Sequence, residues 1–126
     1  MHIMTNKKRE IIDISELIAR DLQDNGVLNI FVAHTTAAIT IADLDPGTDT
    51  DYWQAIEHMT PDVQWNHPHD PSHFPDHLWS TIIGNSLNLP FRNGQLLLGS
   101  WQRVILIELD GPRERTIELT VLAQKT

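Results

Sequence analysis

The run TIELTVLAQ at 116–124 alternates strictly, with Ile117, Leu119 and Val121 against Thr116, Glu118 and Thr120. A period of two belongs to an extended chain with one packed and one wet face. Ahead of it lie SLNLPF, QLLLGSW and QRVILIELD, separated by turn residues at RNG and GPRER. Short β-branched and apolar runs joined by such turns demand strands that return on their neighbours. The C-terminal third is therefore a sheet, and the rest of the chain must cover it.

The covering elements are readable upstream. IIDISELIARDLQDNG predicts a first helix capped by Asp13, with Glu16 as capping-box partner, Ile14, Leu17, Ile18 and Leu22 as its stripe, and Gly26 as its stop. VLNIFVAHTTAAITI predicts one long strand, or two joined by a bend, with Ile30, Val32, His34 and Thr36 on one face. A second helix follows DLDPG, capped by Thr48 or Asp49, with Tyr52, Ile56 and Met59 facing the core. Residues 61 to 75 read as a loop, and a third helix, PDHLWSTII, starts at Pro75 and ends at Gly84. The fold class is α+β: a largely antiparallel sheet packed by about three helices, in one domain spanning 1–126.

Composition excludes several functions. Nine basic against 17 acidic residues give a net charge of -8, which repels nucleic acid and anionic membranes. Without cysteine there is no thiolate catalysis and no Cys-ligated zinc, so any metal must use histidine, carboxylate or carbonyl ligands. No apolar run approaches the ~20 residues of a membrane span. The start MHIMTNKKRE lacks the apolar segment of a secretory signal, so the expected location is cytoplasmic.

Histidine is concentrated in NHPHDPSHFPDH, which holds His67, His69, His73 and His77. Taken singly each is an ordinary loop residue; together they offer imidazoles for metal binding or proton transfer. His73 and His77 are four apart, but Pro75 disfavours helical dihedrals at Phe74 and so puts His73 outside the helix. No HExxH motif is present. His34 interrupts an apolar strand, either as a hydrogen-bonded core residue or as a working one. Glu108 shares a face with Val104 and Leu106, where a carboxylate needs a compensating cation or donor unless the strand end reaches water. Arg113 and Arg115 flank a Gly-Pro turn and suit anion capture, or are simply solvated. Trp101 reads first as core filling.

In order along the chain, HTTAAITI, the DP pair at 45 and 46, WNH, DHLWSTIIGNSLNLPF, NGQLLLGSWQ and ELDGPRER resemble the YjbQ family, also labelled secondary thiamine-phosphate synthase. Each motif is short, whereas their ordered combination from residue 27 onward is specific. The family's histidines fall on His34, His67 and His77; its GTWQ segment falls on Gly99–Gln102, with serine at position 100; its acid and arginines fall on Glu108, Asp110, Arg113 and Arg115. His69 and His73 have no counterpart in that pattern.

The resemblance implies catalytic roles for His34, Thr35, Gln102 and Glu108, and substrate contacts at Ser100, Trp101, Arg113 and Arg115. It implies a divalent metal, zinc or magnesium, on His34, His67 and His77. It also implies a homotrimer, a phosphorylated small-molecule substrate and a weak thiamine-phosphate synthase activity. The chain shows neither a Gly-rich phosphate loop nor the aspartate cluster of a magnesium-diphosphate site. A non-catalytic oligomeric module that captures a small anion or metal fits the same residues, and so does a trimer merely stitched by them.

Overall fold

The computed structural model describes residues 1–125. Strands β1 (His2–Met4), β2 (Glu10–Asp13), β3 (Gly26–Val32), β4 (Ala37–Ala42), β5 (Ser86–Arg92), β6 (Gln95–Leu96), β7 (Arg103–Glu108) and β8 (Glu114–Ala123) form two sheets. One is ordered β1-β8-β3-β5-β6 and the other β2-β7-β4. Every pairing is antiparallel. Helices α1 (Ser15–Ala19), α2 (Thr48–Met59) and α3 (Phe74–Ile83) complete the expected α+β fold.

The layering follows from side-chain alternation. On β7, Val104 and Leu106 join Leu28, Ile30, Val32 and Ile117 in the larger core, between the sheets. Ile105 and Ile107 face the other way and pack with Ile56 of α2 and Trp79 of α3. The three-stranded sheet is thus buried on both faces, which is why VILI, Val104 to Ile107, is apolar throughout while polar and apolar residues alternate along β8. Ser80 Oγ donates to the Ala37 carbonyl at 2.6 Å and docks α3 on β4. Trp79 Nε1 donates to Thr60 Oγ1 at 2.8 Å and ties α3 to the end of α2.

Three local expectations change. The first predicted helix is split: Glu10–Asp13 pairs with β7 as β2, and only Ser15–Ala19 is helical. Ile14 takes the cap position, although the Ser15 amide does donate to Asp13 Oδ1 at 3.0 Å. Gly26 is not a helix stop but the first residue of β3, where an added Cβ would meet the Leu122 carbonyl oxygen at 2.3 Å. On α2, Gly47 in the left-handed region (φ 89°) is the cap, Ile56 is buried, and Met59 is 65% exposed. The run 27–41 is two strands in different sheets, and His34 lies in the crossing between them.

Candidate functional site

The histidine loop folds onto the start of α3. Asp70 accepts from the Ser72 amide at 3.1 Å and from Ser72 Oγ at 2.5 Å, capping a 3₁₀ turn over Pro71–His73. Trp65 packs on Phe74 with ring centroids 4.7 Å apart, which returns the chain toward the helix. His73 lies outside α3 as its cap residue, yet Phe74 is helical (φ -54°, ψ -37°) despite the following proline. His73 and His77 therefore still meet, with centroids 4.8 Å apart. His67 Nε2 lies 3.2 Å from His73 Nε2. One ring nitrogen from each of His67, His73 and His77 falls within 4.8 Å of the other two.

The outer nitrogens of two rings are anchored. His77 Nδ1 is 3.1 Å from the Thr35 carbonyl, and since a carbonyl only accepts, that nitrogen carries the proton. His73 Nδ1 faces Asp110 Oδ2 at 3.3 Å and Asp76 Oδ2 at 3.8 Å. In the His77 ring Nε2 is thereby left as the lone-pair nitrogen. Crowding of its ring out of water, and then the neighbouring His77 and His73, hold His67 below the usual histidine range.

Two carboxylates and three cations stand behind His73. Lys8 Nζ donates to Asp110 Oδ1 at 2.5 Å and to Asp76 Oδ2 at 2.9 Å. Arg113 Nη2 reaches Asp110 Oδ2 at 3.3 Å, and Arg9 Nη2 lies 3.6 Å from Asp76 Oδ1. Burial alone would raise the Asp110 carboxyl; Lys8 and then Arg113 outweigh it and hold it below the carboxylate range.

Next to this group lies a buried ion pair. Arg115 is 1% exposed and Glu108 0%. Arg115 Nε donates to Glu108 Oε2 at 2.8 Å, Nη2 donates to Oε1, and Nη2 also reaches Thr36 Oγ1 at 2.9 Å. Thr5 Oγ1 (2.7 Å) and the Asp110 amide (3.0 Å) complete the carboxylate's shell. Desolvation pushes the Glu108 pKa up, but Arg115 and these donors bring it below the ordinary value. Glu108 thus has the cation its strand position requires and does not reach water.

His34 answers to the same strand. Its Nε2 accepts from the Thr116 amide at 2.8 Å, so the ring is neutral with its proton on Nδ1. Desolvation, and then the positive charge of Arg115, keep its pKa below the usual value.

A family model described as UPF0047 protein YjbQ-like matches residues 1–124. The chain belongs to the YjbQ (UPF0047) family. A UPF0047 protein of Methanocaldococcus jannaschii is 34% identical over 128 residues, covering 98% of this chain and 92% of that one. YugU of Bacillus subtilis is 33% identical, covering 97% and 96%. Among solved structures, a protein of unknown function from Sulfolobus solfataricus superposes with a TM-score of 0.86 at 34% identity, covering 98% of this chain and 94% of that one. One from Aeropyrum pernix does so at 0.85 and 35%, covering 98% and 96%.

In this YjbQ-family chain the expected site residues fall into three groups. His67 and His77 come together, and the third ring beside them is His73; the described ligand cluster does not include His34, whose Nε2 is engaged by Thr116. Thr35 enters through its carbonyl on His77. Arg113 stays half exposed beside Asp110, whereas Arg115 is enclosed with Glu108.

Ser100, Trp101 and Gln102 precede β7 at its far end from Asp110, with Arg103–Glu108 spanning about 17 Å between them. Gln102 Oε1 accepts from the Gly99 amide at 2.8 Å, and Trp101 is not core filling but 72% exposed. Sequence reasoning named His73 in the histidine cluster but left it out of the ligand set, and it missed Lys8 and Asp76. The four-residue spacing of His73 and His77 was the one signal available; Lys8 and Asp76 meet across 68 positions of chain and left none. Among the described residues no helix is long and apolar enough to cross a membrane.

Proposed function

We propose that the chain is a metal-dependent small-molecule enzyme whose divalent ion is held by His67, His73 and His77, with a phosphorylated substrate alongside. The observation that carries this reading is the convergence of three ring nitrogens within 4.8 Å. The residues fit the ion. Two nitrogens at ~2.0–2.1 Å from a tetrahedral zinc stand about 3.4 Å apart, against 3.2 Å for His67 and His73. The carboxylate on His73 and the carbonyl on His77 are the outer partners that orient metal-bound imidazoles. An all-nitrogen set favours zinc over magnesium, which prefers oxygen ligands.

When bound, such an ion supplies Lewis acidity and an activated water or alcohol at neutral pH. The chain's own groups do the rest. Arg113 and Lys8 put positive charge beside the imidazoles, where phosphate charge would develop. Asp110 stands against His73 Nδ1 and orients the ring, and His34 holds the Thr35 segment against β8 so that its carbonyl meets His77. Thiamine-phosphate synthase chemistry, the displacement of pyrophosphate from a pyrimidine methyl diphosphate by a thiazole phosphate, is carried here as a secondary activity on the strength of family resemblance. The homotrimer is likewise carried on family resemblance, with Trp101, 72% exposed, offering it contact surface.

A non-catalytic module is the second reading, favoured by the enclosure of Glu108 and Arg115 with each other, which withdraws one expected catalytic group and one expected substrate contact. Elemental analysis with zinc titration of the wild type and His77→Ala tests the metal. One equivalent of zinc in the wild type and none in the variant supports the site; no zinc in either removes it. Phosphorylated ligands that raise the melting temperature of the zinc-loaded protein without yielding product favour the module.

A further inference from the structure

His73 divides its two ring nitrogens between different surroundings: Nε2 looks toward His67, Nδ1 toward Asp76 and Asp110. The acid side has the composition of a cation seat, since His73, Asp76 and Asp110 each bring a ligand atom within 4.8 Å of the other two. Asp76 is buried there, at 3% exposure. The seat already holds a charge. Lys8 Nζ bridges Asp110 Oδ1 at 2.5 Å and Asp76 Oδ2 at 2.9 Å, the place a metal shared by the two carboxylates would take.

The lysine is delivered there by backbone. Its segment, between β1 and β2, is pinned to the Asp110–Arg113 turn by the Thr5 amide on the Arg113 carbonyl (2.9 Å) and the Gly111 amide on the Lys8 carbonyl (2.9 Å). The approach is so close that a Cβ on Gly111 would meet the Lys7 carbonyl oxygen at 2.3 Å. The lysine side chain remains half exposed while its ammonium is tied at the carboxylates.

We propose that Lys8 is a positioning residue acting as a fixed internal cation. It fills the position between Asp76 and Asp110 that a second divalent ion would take, and by holding Asp110 it keeps Nε2 of His73 turned toward His67. The site is therefore mononuclear because a lysine occupies its other half. The inference rests on the three-histidine reading for the first position only. Hard oxygen ligands make manganese the suitable probe of the second.

The test is zinc loading followed by manganese titration, read by electron paramagnetic resonance, on the wild type, Lys8→Met, Lys8→Ala and Lys8→Arg, with circular dichroism to establish folding. The wild type and Lys8→Arg are expected to take one zinc and no manganese. Lys8→Met and Lys8→Ala are expected to take one zinc and one manganese, with manganese saturating at a concentration at least ten-fold below any at which the wild type begins to bind it. Folded, zinc-loaded Lys8→Met and Lys8→Ala that bind no manganese, or a wild type that binds it equally well, overturn the proposal. A wild type that takes no zinc removes the three-histidine reading instead. The same manganese comparison on metal-free protein then judges Lys8 alone, by whether manganese enters only when the lysine is gone.

Discussion

Arg115 of β8 and Glu108 at the end of β7 face each other across 2.8 Å, with neither side chain open to solvent. Removing one partner strands a charge. Arg115→Met should lower unfolding free energy by about 3–5 kcal/mol, read by urea denaturation at neutral pH. The double variant Glu108→Leu/Arg115→Met should recover part of that loss, because no charge is left behind. A single variant within about 1 kcal/mol of wild type would mean that water reaches the carboxylate.

His34 is neutral in the fold and accepts from the Thr116 amide. Its folded pKa is below the ordinary 6.5, so in acid the unfolded chain binds the proton first. The stabilisation is complete above 6.5 and is lost as pH falls from there through the lowered value. His67 shifts in the same direction. His34→Gln should therefore be less stable than wild type at pH 8 and should show a shallower loss between pH 6.5 and 5. Equal slopes in urea midpoints against pH would exclude this account. Glu108, also lowered, adds a further loss only below 4.5.

Asp110 orients His73 without belonging to the three imidazoles. Asp110→Asn should weaken zinc binding by about 10–100-fold, in line with other outer partners of metal-bound histidines. Calorimetry showing unchanged affinity would dismiss the carboxylate as an orienting group while leaving the three rings in contention.

Gly26 carries no side chain because β8 passes too close. Gly26→Ala should cost about 1–3 kcal/mol through overpacking against the Leu122 carbonyl. A neutral result in thermal unfolding would show that β3 and β8 can separate locally at little cost.

Trp101, at 72% exposure, contributes little to the core of one protomer. Trp101→Ala should leave the unfolding free energy of a dilute sample within about 0.5 kcal/mol and, on the proposed homotrimer, should shift the sedimentation coefficient from trimer toward monomer. An unchanged coefficient would remove this segment from the subunit interface.

How far the chain could be read in advance depended on the range of the interactions concerned. Pro75 marks the first turn of α3 and Gly84 its end, and the β8 alternation put Ile117 on the buried face, although Val121 farther along is exposed, so these elements were legible in the main. Residues 27–41 left one strand or two open, and that the two lie in different sheets was not legible, because a strand's apolar pattern is the same whether it stays in one sheet or crosses to another. Likewise Glu10–Asp13 became a strand because β7 offers it a ladder, an advantage that local helical propensity does not register.

By itself the sequence determined the α+β class, the family, the histidine-rich loop and the need of Glu108 for a partner, all consequences of composition, period and residue order. Tertiary structure alone decided that Glu108 is answered by Arg115, that His73 stands with His67 and His77, and that Lys8 sits between Asp76 and Asp110. These are charges and rings brought within a few ångströms from positions as much as 102 residues apart. Electrostatic and hydrogen-bond energies fall steeply with distance in space and are indifferent to separation along the chain, so only the folded arrangement selects among the possible partners.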